Sequence, residues 1–77
     1  MKGNFNDEIE NKVYEYRVLN KLSQQELADQ VGVSKQTIFV MEKNKYKPSL
    51  LLAFRIAKYF NKDVTDIFTY IIREDEK

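Results

Sequence analysis

A chain of 77 residues, 43% hydrophobic and 32% charged, has room for one domain with a modest core and none for a second. It contains neither cysteine nor histidine, which excludes disulfides, thiolate metal sites, cysteine nucleophiles and the commonest general base. Net charge is only +1, yet residues 35–62 hold seven basic groups against Glu42 alone, between acidic segments at 1–34 and 63–77.

In chain order, Asp7 with Glu10 three residues later reads as a capping box opening a first helix. Ile9, Val13, Tyr16 and Leu19 follow at helical spacing. Asn20-Lys21 closes it, asparagine tolerating left-handed backbone. Ser23 and Glu26 form a second capping box ahead of Leu27, Ala28 and Val31, and Gly32 supplies the turn that follows. Ser34 caps a third helix containing Ile38 and Met41. Residues 44–47 form a polar loop, and Pro48 keeps Lys47 out of helical geometry.

Ser49 caps a fourth helix, with Leu50, Ala53, Phe54, Ala57 and Phe60 expected on one side. Asp63 caps a short fifth helix, with Asp66 in its first turn favouring the positive end of the helix dipole. From Phe68 the chain turns aromatic and β-branched, so Phe68-Thr69-Tyr70-Ile71-Ile72 reads as a strand. It is expected to pair within the fold or across a dimer, because an unpaired edge invites aggregation. Residues 74–77 read as a charged, frayed tail.

The spacing from Gln24 to Lys43 carries the chemistry. Two short helices crossing steeply need a small residue where they touch, and Ala28 stands there. A sharp turn four positions later falls on Gly32. Ile38 and Met41, three apart, plug the second helix into the core, leaving Lys35, Gln36, Phe39 and Val40 on its outer face. A helix displayed in this way fits the DNA major groove.

The run from Leu22 to Ile38, continued through residues 42–50, 53–57 and 66–68, resembles the lambda-repressor-like Cro/CI (XRE) helix-turn-helix family. The likeness spans about residues 11–68. The segment 66–70 is similar to the short cytolysin-repressor type, in which an added antiparallel strand pair accompanies five helices. The fold class expected is mainly α: a five-helix lambda-repressor-like domain plus a short C-terminal β-strand. One domain over 1–77 is expected, with its core at 11–68 and a strand or dimer segment at about 68–73.

The resemblance implies base contacts from Lys35 and Gln36, whose chemistry suits guanine O6/N7 and adenine N6/N7. It implies backbone contacts from Gln24, Ser34, Thr37, Lys43, Asn44, Lys45 and Tyr46. Arg17 and Glu42 match a paired arginine and glutamate tying the first helix to the third. The family pattern is broken in two places: Phe39 and Val40 stand where polar residues are usual, and Lys21 replaces a frequent glycine. Phe39 either meets a thymine methyl group at a base contact or belongs to a protein contact.

Most of these residues also have plain structural roles. Ala28, Gly32, Ile38 and Met41 are structural under any function, and Ser23, Ser34, Ser49 and Asp63 are helix caps first. Lys43, Lys45 and Lys47 could serve solubility alone. Leu51, Phe68, Tyr70, Ile71 and Ile72 are the dimer candidates, with Tyr14 and Tyr59 as further exposed aromatic area.

The function expected is sequence-specific binding of double-stranded DNA by a small prokaryotic regulator, a repressor acting as a homodimer on a palindromic operator. The alternative is an antitoxin-like or co-regulatory protein-interaction module on the same fold, favoured by Phe39 and Val40. An enzyme is not expected, because no carboxylate, lysine or serine cluster forms a site. No cofactor, metal or small-molecule ligand is implied. No apolar stretch approaches a membrane span and residues 1–4 lack a signal-peptide core, so a cytoplasmic protein is expected.

Overall fold

The computed structural model describes residues 5–73. In chain order its elements are β1 (Asp7–Asn11), α1 (Val13–Leu19), α2 (Gln24–Val31), α3 (Lys35–Glu42), α4 (Leu50–Phe60), α5 (Val64–Ile67) and β2 (Phe68–Ile72). The five helices and the C-terminal strand are thus as expected, but the first element is not.

No capping box forms at Asp7 and Glu10. Residues 7–11 are a strand antiparallel to β2, with Asp7 opposite Ile72, Ile9 opposite Tyr70 and Asn11 opposite Phe68. Ile9 falls in step with Val13 and Tyr16 at helical spacing, which mimics a longer helix. The β-branched, aromatic β2 needs a partner, and pairing it satisfies more backbone groups than one extra helical turn would. Side chains alternate across this ribbon, so Asp7, Ile9, Tyr70 and Ile72 share one face and Glu8, Glu10 and Arg73 the other. Arg73 pairs with Glu8 and, at 3.1 Å, with Glu10. The Tyr70 hydroxyl donates to Asp7 Oδ2 at 2.8 Å, which holds its pKa above the ordinary phenol value.

α1 starts instead at Val13, whose N–H donates to Asn11 Oδ1 at 3.0 Å. Asn11 Nδ2 donates to Met41 O at 2.9 Å and to Asn44 Oδ1 at 3.1 Å, fastening the end of β1 to the end of α3. Leu19 is exposed rather than buried; in α1 only Val13 is fully enclosed. The expected caps at Ser23, Ser34 and Ser49 form, each side chain accepting a backbone N–H of its helix's first turn. At α5 the Asp66 carboxylate accepts the Asp63 N–H at 2.9 Å.

The core comprises Val13, Leu27, Ala28, Val31, Ile38, Met41, Ile67 and Phe68 with the inner face of α4. That inner face is Leu52, Ala53, Ile56, Ala57 and Phe60, not the expected face containing Leu50 and Phe54, which are 72% and 55% exposed. Both faces include Ala53, Ala57 and Phe60, so periodicity alone could not separate them.

Four helices end in the same way. After α1, α2, α3 and α4 the chain passes through left-handed backbone at Lys21, Gly32, Asn44 and Asn61, with φ between 58° and 79°. In each, the next residue's N–H returns to a carbonyl five positions back, from Leu22 to Arg17, Val33 to Ala28, Lys45 to Val40 and Lys62 to Ala57. Glycine and asparagine suit this conformation, but lysine does not, and Asn20 itself stays at φ −95°. Lys21→Gly is therefore expected to raise stability by about 0.5–1 kcal/mol, the relief of strain exceeding the added unfolded-state entropy. A thermal melt would show a rise of roughly 2–8 °C.

Candidate nucleic-acid interface

α2 and α3 form the helix-turn-helix. Ala28, fully buried, allows their close approach, and Gly32 at φ 79° turns the chain between them. A Cβ at Gly32 would lie 3.4 Å from Arg55 Nη1, itself 3.4 Å from the Val31 carbonyl where α2 ends. Arg55 thus neutralises the negative end of α2, a role with no signal in its local sequence.

The capping serine of α3 leaves a hydroxyl at the helix's positive end. Ser34 Oγ accepts the Thr37 N–H at 3.2 Å and lies 3.0 Å from Thr37 Oγ1. Ile38 and Met41 are fully buried, which fixes the orientation of α3. Lys35, Gln36 and Phe39 are therefore exposed and Val40 half-buried. Lys43, Asn44, Lys45 and Tyr46 continue the exposed surface beyond the helix. No carboxylate pairs with Lys35, Lys43, Lys45 or Lys47 among the described residues, so their charge faces outward uncompensated.

Behind this surface an ion pair braces α3. Arg17 Nε meets Glu42 Oε2 at 2.6 Å, Nη2 meets Oε1 at 3.1 Å, and Nη1 donates to Leu22 O at 2.8 Å. The side chains are 12% and 6% exposed, and the bonds to Glu42 raise the Arg17 pKa further. Gln24 Nε2 also donates to Glu42 Oε1 at 3.1 Å. One amide so ties the first turn of α2 to the last turn of α3, leaving its carbonyl and second N–H for other partners.

Phe39 borders a crevice of about 250 Å³ with Tyr14, Arg17, Gln24, Glu42 and Lys43. Lys43 Nζ lies 5.1 Å from the Phe39 ring centre, and the Arg17 guanidinium 5.4 Å from that of Tyr14. The phenylalanine therefore steadies a lysine while staying exposed itself. Asn11, whose amide holds the last turn of α3, was not anticipated from the sequence. The segment read as a helix in the sequence, so nothing marked this asparagine as a link between elements.

The dimer candidates are scattered. Leu51, Tyr70 and Ile72 are exposed and Ile71 is half-buried, but Phe68 is 8% exposed and belongs to the protomer's own core. Phe68, read above as a dimer candidate, is instead a core residue, one of the buried cluster that includes Ile56, Ala57 and Ile67.

A family model described as Helix-turn-helix matches residues 13–67. An uncharacterized HTH-type transcriptional regulator of Methanocaldococcus jannaschii is 53% identical over 62 residues, 80% of this chain and 94% of the relative. A second, YgzD of Bacillus subtilis, is 45% identical over 60 residues, covering 78% and 91%. The crystal structure of the transcriptional regulator VanUg superposes with a TM-score of 0.72 at 24% identity, over 95% of this chain and 96% of that one, a likeness of fold. That family is one of DNA-binding regulators and not of enzymes. No helix among the described residues is long and apolar enough to cross a membrane. The chain belongs to the Cro/CI-type helix-turn-helix family and is a DNA-binding transcriptional regulator.

Proposed function

We propose that this regulator is a cytoplasmic repressor that binds a palindromic operator as a homodimer, reading bases with α3. The observation that carries the reading is the orientation of α3: Ile38 and Met41 face inward, so Lys35 and Gln36 project outward beside the exposed Lys43, Lys45 and Lys47. Lys35 donates to a guanine and Gln36 pairs with an adenine. Phe39 and Val40 meet thymine methyl groups, which explains apolar side chains where polar ones are usual. Ser34, Thr37, Gln24, Lys43, Asn44, Lys45 and Tyr46 hold the sugar-phosphate backbone and set the register. One module of this size reads only a few base pairs, so two copies on half-sites about 34 Å apart supply the affinity.

Repression is the simpler outcome for so small a regulator, because a dimer on an operator overlapping a promoter blocks polymerase without needing an activating surface. A second reading, capture of a partner protein through α3, is favoured by the 40% exposure of Phe39. The two separate by mutation. Under the second, Phe39→Ala breaks the complex and changes at Lys35 and Gln36 are silent.

A salt titration tests the division between backbone and base contacts. Lys45→Ala should weaken operator and random DNA alike and lower the slope of log K against log salt by about one, as expected when one phosphate is no longer neutralised. Lys35→Ala should instead lose preference for operator over random DNA. Equal effects of the two substitutions on that preference would reject the division of roles.

A further inference from the structure

We propose that Asn11 is a positioning residue for DNA binding: it turns the Asn44 amide so that the nitrogen, and not the oxygen, faces a DNA phosphate. The proposal rests on the backbone contact assigned to Asn44 above and specifies what sets it. A phosphate oxygen only accepts hydrogen bonds, so an asparagine can hold one through Nδ2 and never through Oδ1. Which end of the amide is outermost therefore decides whether Asn44 attracts the DNA backbone or repels it.

The hydrogen bonds at the end of β1 leave a single solution. Asn11 Oδ1 accepts the Val13 N–H at 3.0 Å, so the opposite end of its amide is Nδ2. That end meets the Met41 carbonyl oxygen at 2.9 Å, a pure acceptor, which fixes the same orientation independently. Both groups that Asn11 then offers to Asn44 are donors, the side-chain Nδ2 at 3.1 Å and the backbone N–H at 3.3 Å. Only an oxygen answers two donors, so Asn44 turns Oδ1 inward to Asn11. Asn44 is exposed, and its Nδ2 donates to no acceptor among the described residues.

Both halves of this clasp stand on fixed backbone. Asn11 closes β1 opposite Phe68, and the next N–H, that of Lys12, donates to Ile67 O at 2.8 Å. Asn44 sits in left-handed backbone at φ 60°, its N–H on Met41 O at 2.9 Å and the Lys45 N–H on Val40 O at 3.0 Å. The free amide nitrogen thus stands just beyond the last turn of α3, flanked in the chain by Lys43 and Lys45. Neither lysine pairs with a carboxylate among the described residues, so the donor lies in an electropositive stretch. An amide free to turn would present its oxygen part of the time; one held by Asn11 is preorganised for an anion.

The test uses the full chain, ¹⁵N-labelled, with a mixed-sequence duplex at low salt, because a phosphate contact does not depend on sequence. Adding DNA should shift the Asn44 side-chain amide pair and leave that of Asn11, turned inward, in place. Asn44→Gly suits the left-handed backbone while removing the amide, and should weaken binding about tenfold, the size of a hydrogen bond to a charged group. Asn11→Ser keeps an oxygen for the Val13 N–H but lacks Nδ2, and should weaken binding at least about threefold. In the Asn44→Gly background the same change should have no further effect, because the amide it orients is already gone.

A merely structural Asn11 would weaken binding by the same factor in both backgrounds, and that result overturns the proposal. So does an Asn44 side-chain pair that DNA leaves unmoved, or an Asn44→Gly variant that binds like wild type. Circular dichroism establishes that each variant is folded; should Asn11→Ser not fold, the wild-type side-chain shift and Asn44→Gly decide. Failure of the DNA reading is distinguishable, since the backbone amides from Ser34 to Tyr46 would then stay in place as well. Failure of this proposal alone leaves them responding to DNA while the Asn44 side chain does not.

Discussion

Alanine at both Lys35 and Gln36 is expected to erase the preference for operator DNA while leaving non-specific binding within about tenfold of wild type. Each good side-chain-to-base pair contributes about 1–3 kcal/mol of discrimination. A dimer presents every substitution twice, so even the lower figure for both residues exceeds a roughly hundredfold loss of specific affinity. The fold should be untouched, since both side chains are exposed and neither holds α3 in place. Fluorescence anisotropy on operator and random duplexes at one fixed salt concentration reads both quantities. Equal loss on the two DNAs would mean that these residues meet phosphates only.

Arg17→Ala is expected to have the largest effect on stability. It removes the cation from a pair in which Glu42 is only 6% exposed, leaving a carboxylate with Gln24 as its remaining side-chain donor among the described residues. Breaking such a pair from one side costs about 3–5 kcal/mol, and the 12% exposure of Arg17 argues for the lower figure. For a domain of this size, about 3 kcal/mol corresponds to a fall of roughly 12–24 °C in melting temperature. Replacing both partners, as Arg17→Met with Glu42→Leu, should recover most of that loss because no charge is then stranded. DNA binding should not recover fully in the double variant, because Gln24 loses the acceptor that ties α2 to α3. A double variant as unstable as Arg17→Ala would show that the pair matters through packing and not through charge.

The helix-turn-helix was legible because its constraints are local. A capping serine, a small residue at the crossing, a glycine at the turn and two apolar plugs all act between Gln24 and Lys43. The Arg17–Glu42 pair, 25 positions apart, could be named only through family resemblance. What failed was non-local. Asp7 and Glu10 imitate a capping box, and only β2, far along the chain, turns that segment into a strand. Leu50 and Phe54 fit a helical stripe as well as Leu52 and Ile56 do, and the core side of α4 is chosen by α2 and α5, not by α4. Phe68 was misplaced for the same reason, since its partners arrive from elsewhere in the chain. Asn11 and Arg55 hold distant backbone carbonyls, which leaves no periodic trace.

The claim on which the functional account depends is that α3, and not the acidic ribbon, is the surface that meets DNA. Its most direct test is a ¹⁵N-labelled titration of the full chain with the duplex lying immediately upstream of its own coding region. The account predicts that the backbone amides most perturbed run from Ser34 to Tyr46, together with Gln24, while those of β1 and β2 move little. Perturbation concentrated on the ribbon, or none from Ser34 to Tyr46 with DNA bound, would contradict it.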